Sequence, residues 1–234
     1  MRTSLTALFA VLILSGCGAD TATEEATENA VDASAELAGL LDEYFERNLE
    51  LSPISATSIG DDRYDAIYAN SIGPEHRAAR HDLNSEFLGR LEAIDRDALS
   101  TQEQYSYDMF KLQRENSLAG EQFPTHLAPM NQFRSATSSF VNLGSGSGLH
   151  PFKTVKNYED FLGRIDGFVV YVDQSIANMK EGVQQGVTQP RVLMDKFVPQ
   201  VESQLVDVAA RDRRSTGKHS VDVVCLGNTG EAAR

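Results

Sequence analysis

Apolar residues recur at three- and four-residue steps along most of this chain, and that spacing commits it to helices. Leu37, Leu40, Leu41, Tyr44, Phe45 and Leu49 form one stripe, and Ala79, Leu83, Phe87, Leu91 and Ile94 a second. A third runs through Tyr107, Phe110 and Leu112. A fourth takes Tyr158, Phe161, Leu162, Ile165, Val169, Val172, Ile176 and Met179, and a last takes Val192, Leu193, Phe197, Val201, Leu205 and Val208. No segment alternates with period two, and nothing repeats internally. The spacing therefore predicts an all-α fold, an irregular multi-helix array.

Punctuation places the helix ends. Ser52-Pro53 closes the first helix, because the residue before proline avoids the α region. Gly73-Pro74 opens the second, with proline suited to the first helical position. Ser100-Thr101-Gln102-Glu103 reads as a capping box starting the third, which runs to about Ser117. Residues 120–156 hold Pro124, Pro129, Pro151 and the run Gly144-Ser145-Gly146-Ser147-Gly148, and read as a long loop. Gly182 and Gly186 break the fourth helix, and Pro199 kinks the last, which starts near Pro190.

The amino terminus carries an address. Arg2 precedes the apolar run Leu5–Leu14, which suits a secretory signal but is too short to span a bilayer. Leu14-Ser15-Gly16-Cys17 then matches the lipobox of bacterial lipoproteins. It predicts a signal over residues 1–16 and lipid on the Cys17 thiol as the membrane contact. An ordinary cleaved signal with an incidental cysteine is the alternative. Gly18 follows, not Asp, which in a Gram-negative cell points to the outer membrane, facing the periplasm. Residues 17–36 are acidic and without a basic residue, and read as a flexible tether before a helical domain over 37–210. Residues 211–234 differ again, with five basic and three acidic residues, net +2 against −15 for the 210 before them. That abrupt change reads as a disordered stretch foreign to the domain, as a frame shift or truncated gene would produce; a natural basic tail is the other reading.

The whole chain carries 21 Lys+Arg against 34 Asp+Glu, a net charge of −13. Nucleic acid is a poor partner for such a chain, because affinity for phosphate backbones comes from basic side chains. Catalytic motifs are missing from the sequence. No His-Glu-x-x-His occurs, and His76 and His81 stand five apart with two arginines between them, a spacing that turns one imidazole off the other's face. The glycine-serine run lacks the ending of a phosphate loop, and no Gly-x-Ser-x-Gly elbow occurs. Asp61, Asp62 and Asp65 cluster in a turn, where capping and pairing with Arg63 outweigh acid–base chemistry. His126, in a proline-flanked loop, is a candidate for substrate contact or a surface group.

Several stretches together resemble the amino-terminal part of a bacterial envelope family catalogued as domain of unknown function 885. They are Leu51-Ser52-Pro53 through Gly60-Asp61-Asp62-Arg63-Tyr64-Asp65, Leu91-Glu92-Ala93-Ile94-Asp95 with Gln104-Tyr105, and Tyr158 to Ile165. The most specific is Met179-Lys180-Glu181-Gly182 to Gly186 and Pro190-Arg191. The resemblance spans roughly residues 35–208. It implies half of a larger helical, gluzincin-like zinc peptidase domain, with zinc as the full-length cofactor and peptides as partners. The family's His-Glu-x-x-Pro-Gly-His helix lies in its carboxy-terminal half, so no metal ligand, catalytic residue or cofactor transfers to this chain. Asp61, Asp62, Arg63, His126 and Arg191 remain as candidate cleft-lining residues. The expectation is a lipid-anchored scaffold portion, inactive alone. A non-enzymatic helical lipoprotein, binding or scaffolding in the envelope, is the alternative. A hydrolase built on Asp61 or Asp62 is a third reading. Substrate and oligomeric state stay open.

Overall fold

A computed structural model describes residues 19–205, and among them helices joined by irregular loops make up the fold, with no strand. The seven helices are α1 (Ala19–Leu51), α2 (Pro53–Ser58), α3 (Pro74–Glu92), α4 (Thr101–Gly120), α5 (Ala136–Leu143), α6 (Val155–Gln185) and α7 (Arg191–Glu202). Short 3-10 turns occupy Arg96–Ala98 and Thr125–Leu127. Cys17, the signal segment and the basic tail lie outside the described residues.

The expected caps form. Gly73 precedes Pro74 at the start of α3, and the Ser100–Glu103 box closes reciprocally over α4. Three boundaries depart from the sequence reading. Helix α1 begins at Ala19, inside the stretch read as a tether, because alanine and glutamate are strong helix formers; Ala33 is already buried in the core. The loop over 120–156 contains α5, whose start is fixed by the Ser135 side chain accepting from the Ser138 amide. Helix α7 stops at Glu202, short of Val208, with Pro199 inside it.

Two cores result. Helices α1, α3 and α4 pack Leu37, Leu40, Leu83, Phe87, Leu91 and Phe110 together. Edge-on contacts of Tyr44 with Phe87 and Phe110, at 5.3 and 4.9 Å between centroids, join all three helices. Arg114 lies buried over Tyr44, 4.1 Å from its centroid. Outside, Arg47 grips Glu86 and Arg90 grips Glu43 through paired hydrogen bonds, setting the register of α1 on α3. The second core is aromatic. Phe140 of α5 stacks on Phe168 of α6 at 4.1 Å, and Phe161, Tyr68 and Phe152 close around them.

Helix α6 overturns a sequence expectation. Its packed face keeps Phe161 and Ile165 of the apolar stripe but otherwise runs through Arg164, Phe168, Tyr171, Ser175, Asn178 and Gly182, of which Phe161, Arg164, Ser175, Asn178 and Gly182 are buried. Val155, Leu162, Val169, Ile176 and Val183, spaced by seven, are all exposed. The reason is what α6 packs against. Residues 66–72 are irregular chain, whose carbonyls need donors and whose backbone comes too close for large side chains.

Glycines make that approach. A Cβ on Gly167 would stand 2.6 Å from the Tyr68 carbonyl oxygen, and one on Gly163 would stand 2.9 Å from that of Ala66. Gly39 of α1 faces open space within its helix. Gly39→Ala is expected to raise stability by about 0.5–1 kcal/mol, through lower unfolded-state entropy. Gly167→Ala should lower it by roughly 1–3 kcal/mol as backbone is forced apart. Thermal melts of the two variants check this; a Gly167→Ala protein as stable as Gly39→Ala would refute the close approach.

Candidate functional site

Two polar constellations stand out, one buried and one open. The buried one centres on Arg164 of α6, whose side chain has no exposed surface. Its Nη2 donates to Asp65 Oδ1 at 3.1 Å and to the Thr57 hydroxyl of α2. Its Nη1 donates to His150 Nδ1 at 2.8 Å, and its Nε to the Ile67 carbonyl at 3.3 Å. Thr57 in turn donates to Asp65 Oδ1 at 2.5 Å. His150 Nε2 donates to the Asn157 carbonyl at 2.7 Å. Arginine can only donate, so Nδ1 of His150 must be bare, and the ring is the neutral Nε2–H tautomer. Burial pulls the Arg164 guanidinium below its ordinary value, and Asp65 opposes that. Asp65 Oδ1, Thr57, Ile67 and His150 receive the Arg164 donors, and Asp65 Oδ2 is buried without a hydrogen-bond partner among the described residues. A buried ion pair held from several elements marks a structural clamp.

The open constellation is a cleft of about 750 Å³ between the start of α3, the end of α4 and the loop after it. His76, Arg77, Arg80 and His81 face it from α3, His126 and Arg134 from the loop region, and Tyr171 from α6. His76 and Arg80 form its floor. His76 Nε2 donates to the Leu51 carbonyl at 2.8 Å, and Arg80 reaches the same carbonyl, the Ser52 hydroxyl at 2.8 Å and the Asn48 amide oxygen. They cap the carboxyl end of α1, where the helix dipole favours donors and positive charge. His76 and Arg80 are therefore not an idle solvated face. His81 Nδ1 lies 2.7 Å from Glu121, the carboxylate among the lining residues. Arg77 and Arg134 have no carboxylate partner among the described residues. Partial burial and the Arg77 charge hold the His126 imidazole below its usual value.

Of the five candidates read from sequence, His126 lines the cleft and the other four do not. Asp61 holds Arg63 through three side-chain bonds of 2.6–3.0 Å, and Arg63 also meets Glu46 at 2.8 Å. That pairing holds the Asp61 carboxyl below the ordinary carboxylate range. Asp62 is exposed. Arg191 sits almost fully exposed at the start of α7, 3.8 Å from Asp195. Asp65, grouped with Asp61 and Asp62 in sequence, turns inward to Arg164. Sequence reasoning missed His150, Arg164 and the three arginines of the cleft. A signal existed for Arg164, which stands in the three-four series between Phe161 and Phe168.

No group of three or more His, Cys, Asp or Glu among the described residues is placed to hold a metal ion. The histidines nearest one another are committed elsewhere, His76 to a carbonyl and His81 to Glu121. The donor set therefore does not fit a zinc site of the peptidase kind.

Fold and cleft together define an all-α protein with a cationic recess in an acidic surface. The chain belongs to the family described as "Bacterial protein of unknown function (DUF885)", which matches residues 53–228. The match starts after α1 and continues past the change of composition near residue 210. No curated protein and no solved structure matches the chain.

The clamp carries a quantitative expectation. Removing one partner of a buried ion pair strands the other, at a cost of about 3–5 kcal/mol. Arg164→Ala should therefore melt far below wild type, whereas Arg63→Ala, which breaks only exposed pairs, should melt with it. Equal melting temperatures for the two variants would remove Arg164 from its assigned role.

Proposed function

We propose that this chain is the lipid-anchored, amino-terminal scaffold portion of a zinc-dependent peptidase-like envelope hydrolase, itself without the catalytic metal machinery. Membership of the family supports the class. The observation that carries the scaffold reading is the exposed apolar seam of α6, from Val155 to Val183, a face that a larger domain would cover. Zinc and peptide substrate then belong to the part of the family that bears His-Glu-x-x-Pro-Gly-His. The purified chain supplied with zinc is expected to retain none stoichiometrically and to cleave no peptide. Tight one-to-one zinc together with peptide cleavage would overturn the scaffold reading.

The anchor rests on Leu14-Ser15-Gly16-Cys17. No described helix is long and apolar enough to cross a membrane. Attachment in this reading is through lipid on Cys17, at an outer membrane facing the periplasm in a Gram-negative cell. Cells fed a labelled fatty acid should mark the wild-type chain and leave Cys17→Ala unmarked; equal labelling of both would refute the anchor. A second reading, a non-enzymatic lipoprotein that binds a ligand in the envelope, is favoured by the cationic cleft, whose walls lie within this chain.

A further inference from the structure

We propose that the cleft between α3, the end of α4 and the loop through His126 is a binding site for a small organic anion, a carboxylate carried on an apolar body. The proposal is independent of the anchor and of any metal.

Charge is the first support. The lining residues include three arginines against a single glutamate, in a protein whose net charge is −13. Glu121 is taken by His81. Arg80 is held by the end of α1, which leaves Arg77 of α3 and Arg134 of the loop before α5 as lining guanidinium groups without a carboxylate among the described residues. Four exposed arginines elsewhere are answered: Arg47, Arg63, Arg90 and Arg96 each meet a carboxylate at 2.6–2.7 Å. Two unanswered arginines facing one recess break that pattern, and a guanidinium fork suits a carboxylate or phosphate oxygen pair.

Shape is the second support. A volume of about 750 Å³ lies within the range of small-ligand sites. A smaller hollow of about 250 Å³ shares Phe123, Thr125 and Arg134 with it and is completed by Pro124, Ala128, Val187 and Gln189, whose amide is turned to the Ala128 carbonyl. Phe123 is 60% exposed on the ridge between the two. An oxyanion between Arg77 and Arg134 would place an attached ring or aliphatic group against Phe123 and into that hollow. Phosphate alone would use the arginines and leave the hollow empty, which is why a carboxylate with an apolar body is the better fit.

The walls are rigid enough for recognition. Ile72 is held by Asn178 of α6, which donates to its carbonyl at 3.1 Å. The Thr125–Leu127 turn rests on Gly182, where a Cβ would meet the Leu127 carbonyl at 2.7 Å. Preformed walls spare the ordering cost of binding.

The test is calorimetric titration of the full chain at low ionic strength. The ligands are N-acetyl-phenylalanine, its uncharged amide and inorganic phosphate. The acid should bind saturably, one to one, and the amide at least about tenfold more weakly, since only the charge differs. Arg77→Ala with Arg134→Ala should lower affinity for the acid by about tenfold or more, and Arg63→Ala should leave it unchanged. Both cleft arginines are exposed and free of described side-chain bonds, so the double variant should keep the wild-type melting temperature, which confirms that lost binding is local. Phosphate displacing the acid would confirm that the arginines read an oxyanion. Equal binding of acid and amide, an unaffected double variant, or no saturable binding up to about 10 mM would each overturn the proposal.

Discussion

A single desolvated charge organises this molecule. Arg164 has left water completely, and a guanidinium in that position must have its donors met or the fold does not hold. The partners come from three places distant in sequence: Thr57 at the end of α2, Asp65 and Ile67 in the chain that follows, and His150 before α6. Meeting them fixes the segment from Pro53 to Tyr68 on α6 and pins the residues ahead of α6 to its first turns. The arrangement is directional where apolar packing is not. A slip of one residue along α6 would remove every acceptor at once, so the register of α6 is set by hydrogen bonds and then filled in by Phe140, Phe161 and Phe168.

From that fastening the helix acts as a rail. Beyond Arg164 it meets the irregular chain through Gly163 and Gly167, which admit the Ala66 and Tyr68 carbonyls. Then Asn178 takes the Ile72 carbonyl, and Gly182 takes the Thr125–Leu127 turn. Gly186, with φ +74°, ends the helix in the left-handed conformation that glycine adopts freely, and Gln189 returns to bond the Ala128 carbonyl at 3.0 Å. Both sides of the cleft, residues 71–72 and 125–129, are therefore positioned by one element. The cleft owes its shape to α6 even though its cationic side chains come from α3 and the loop.

Helix content, the proline and glycine stops and the capping box were legible because each depends on neighbours in sequence. The three-four spacing of Leu83, Phe87 and Leu91 also found its true face, since α3 packs against other helices. The same rule failed on α6. It assumes that the buried face is wholly apolar, whereas beyond its aromatic contacts this helix packs on irregular backbone, where small residues and donors are worth more than methyl groups. Leu162, Val169 and Ile176 kept their helical periodicity and pointed outward. Asp65 was inseparable from Asp61 and Asp62 on paper, because the partner that draws it inside lies 99 residues away. Helix α5 was hidden by its flanking glycines and prolines.

Net charge misled in a more instructive way. The expectation that a chain at −13 is a poor partner for nucleic acid rests on a charge averaged over many side chains. A ligand of a few atoms samples only the field within about a Debye length, roughly 8 Å at physiological salt. Inside the cleft that field comes from Arg77, Arg80 and Arg134, against Glu121, which is paired with His81. The acidic exterior and the cationic recess are thus complementary. Under the proposed reading the first disfavours extended polyanions, and the second admits a compact anion small enough to enter. Selectivity of this kind needs the arginines to remain unpaired, and Arg77 and Arg134 have no carboxylate partner among the described residues, whereas Arg47, Arg63, Arg90 and Arg96 each have one.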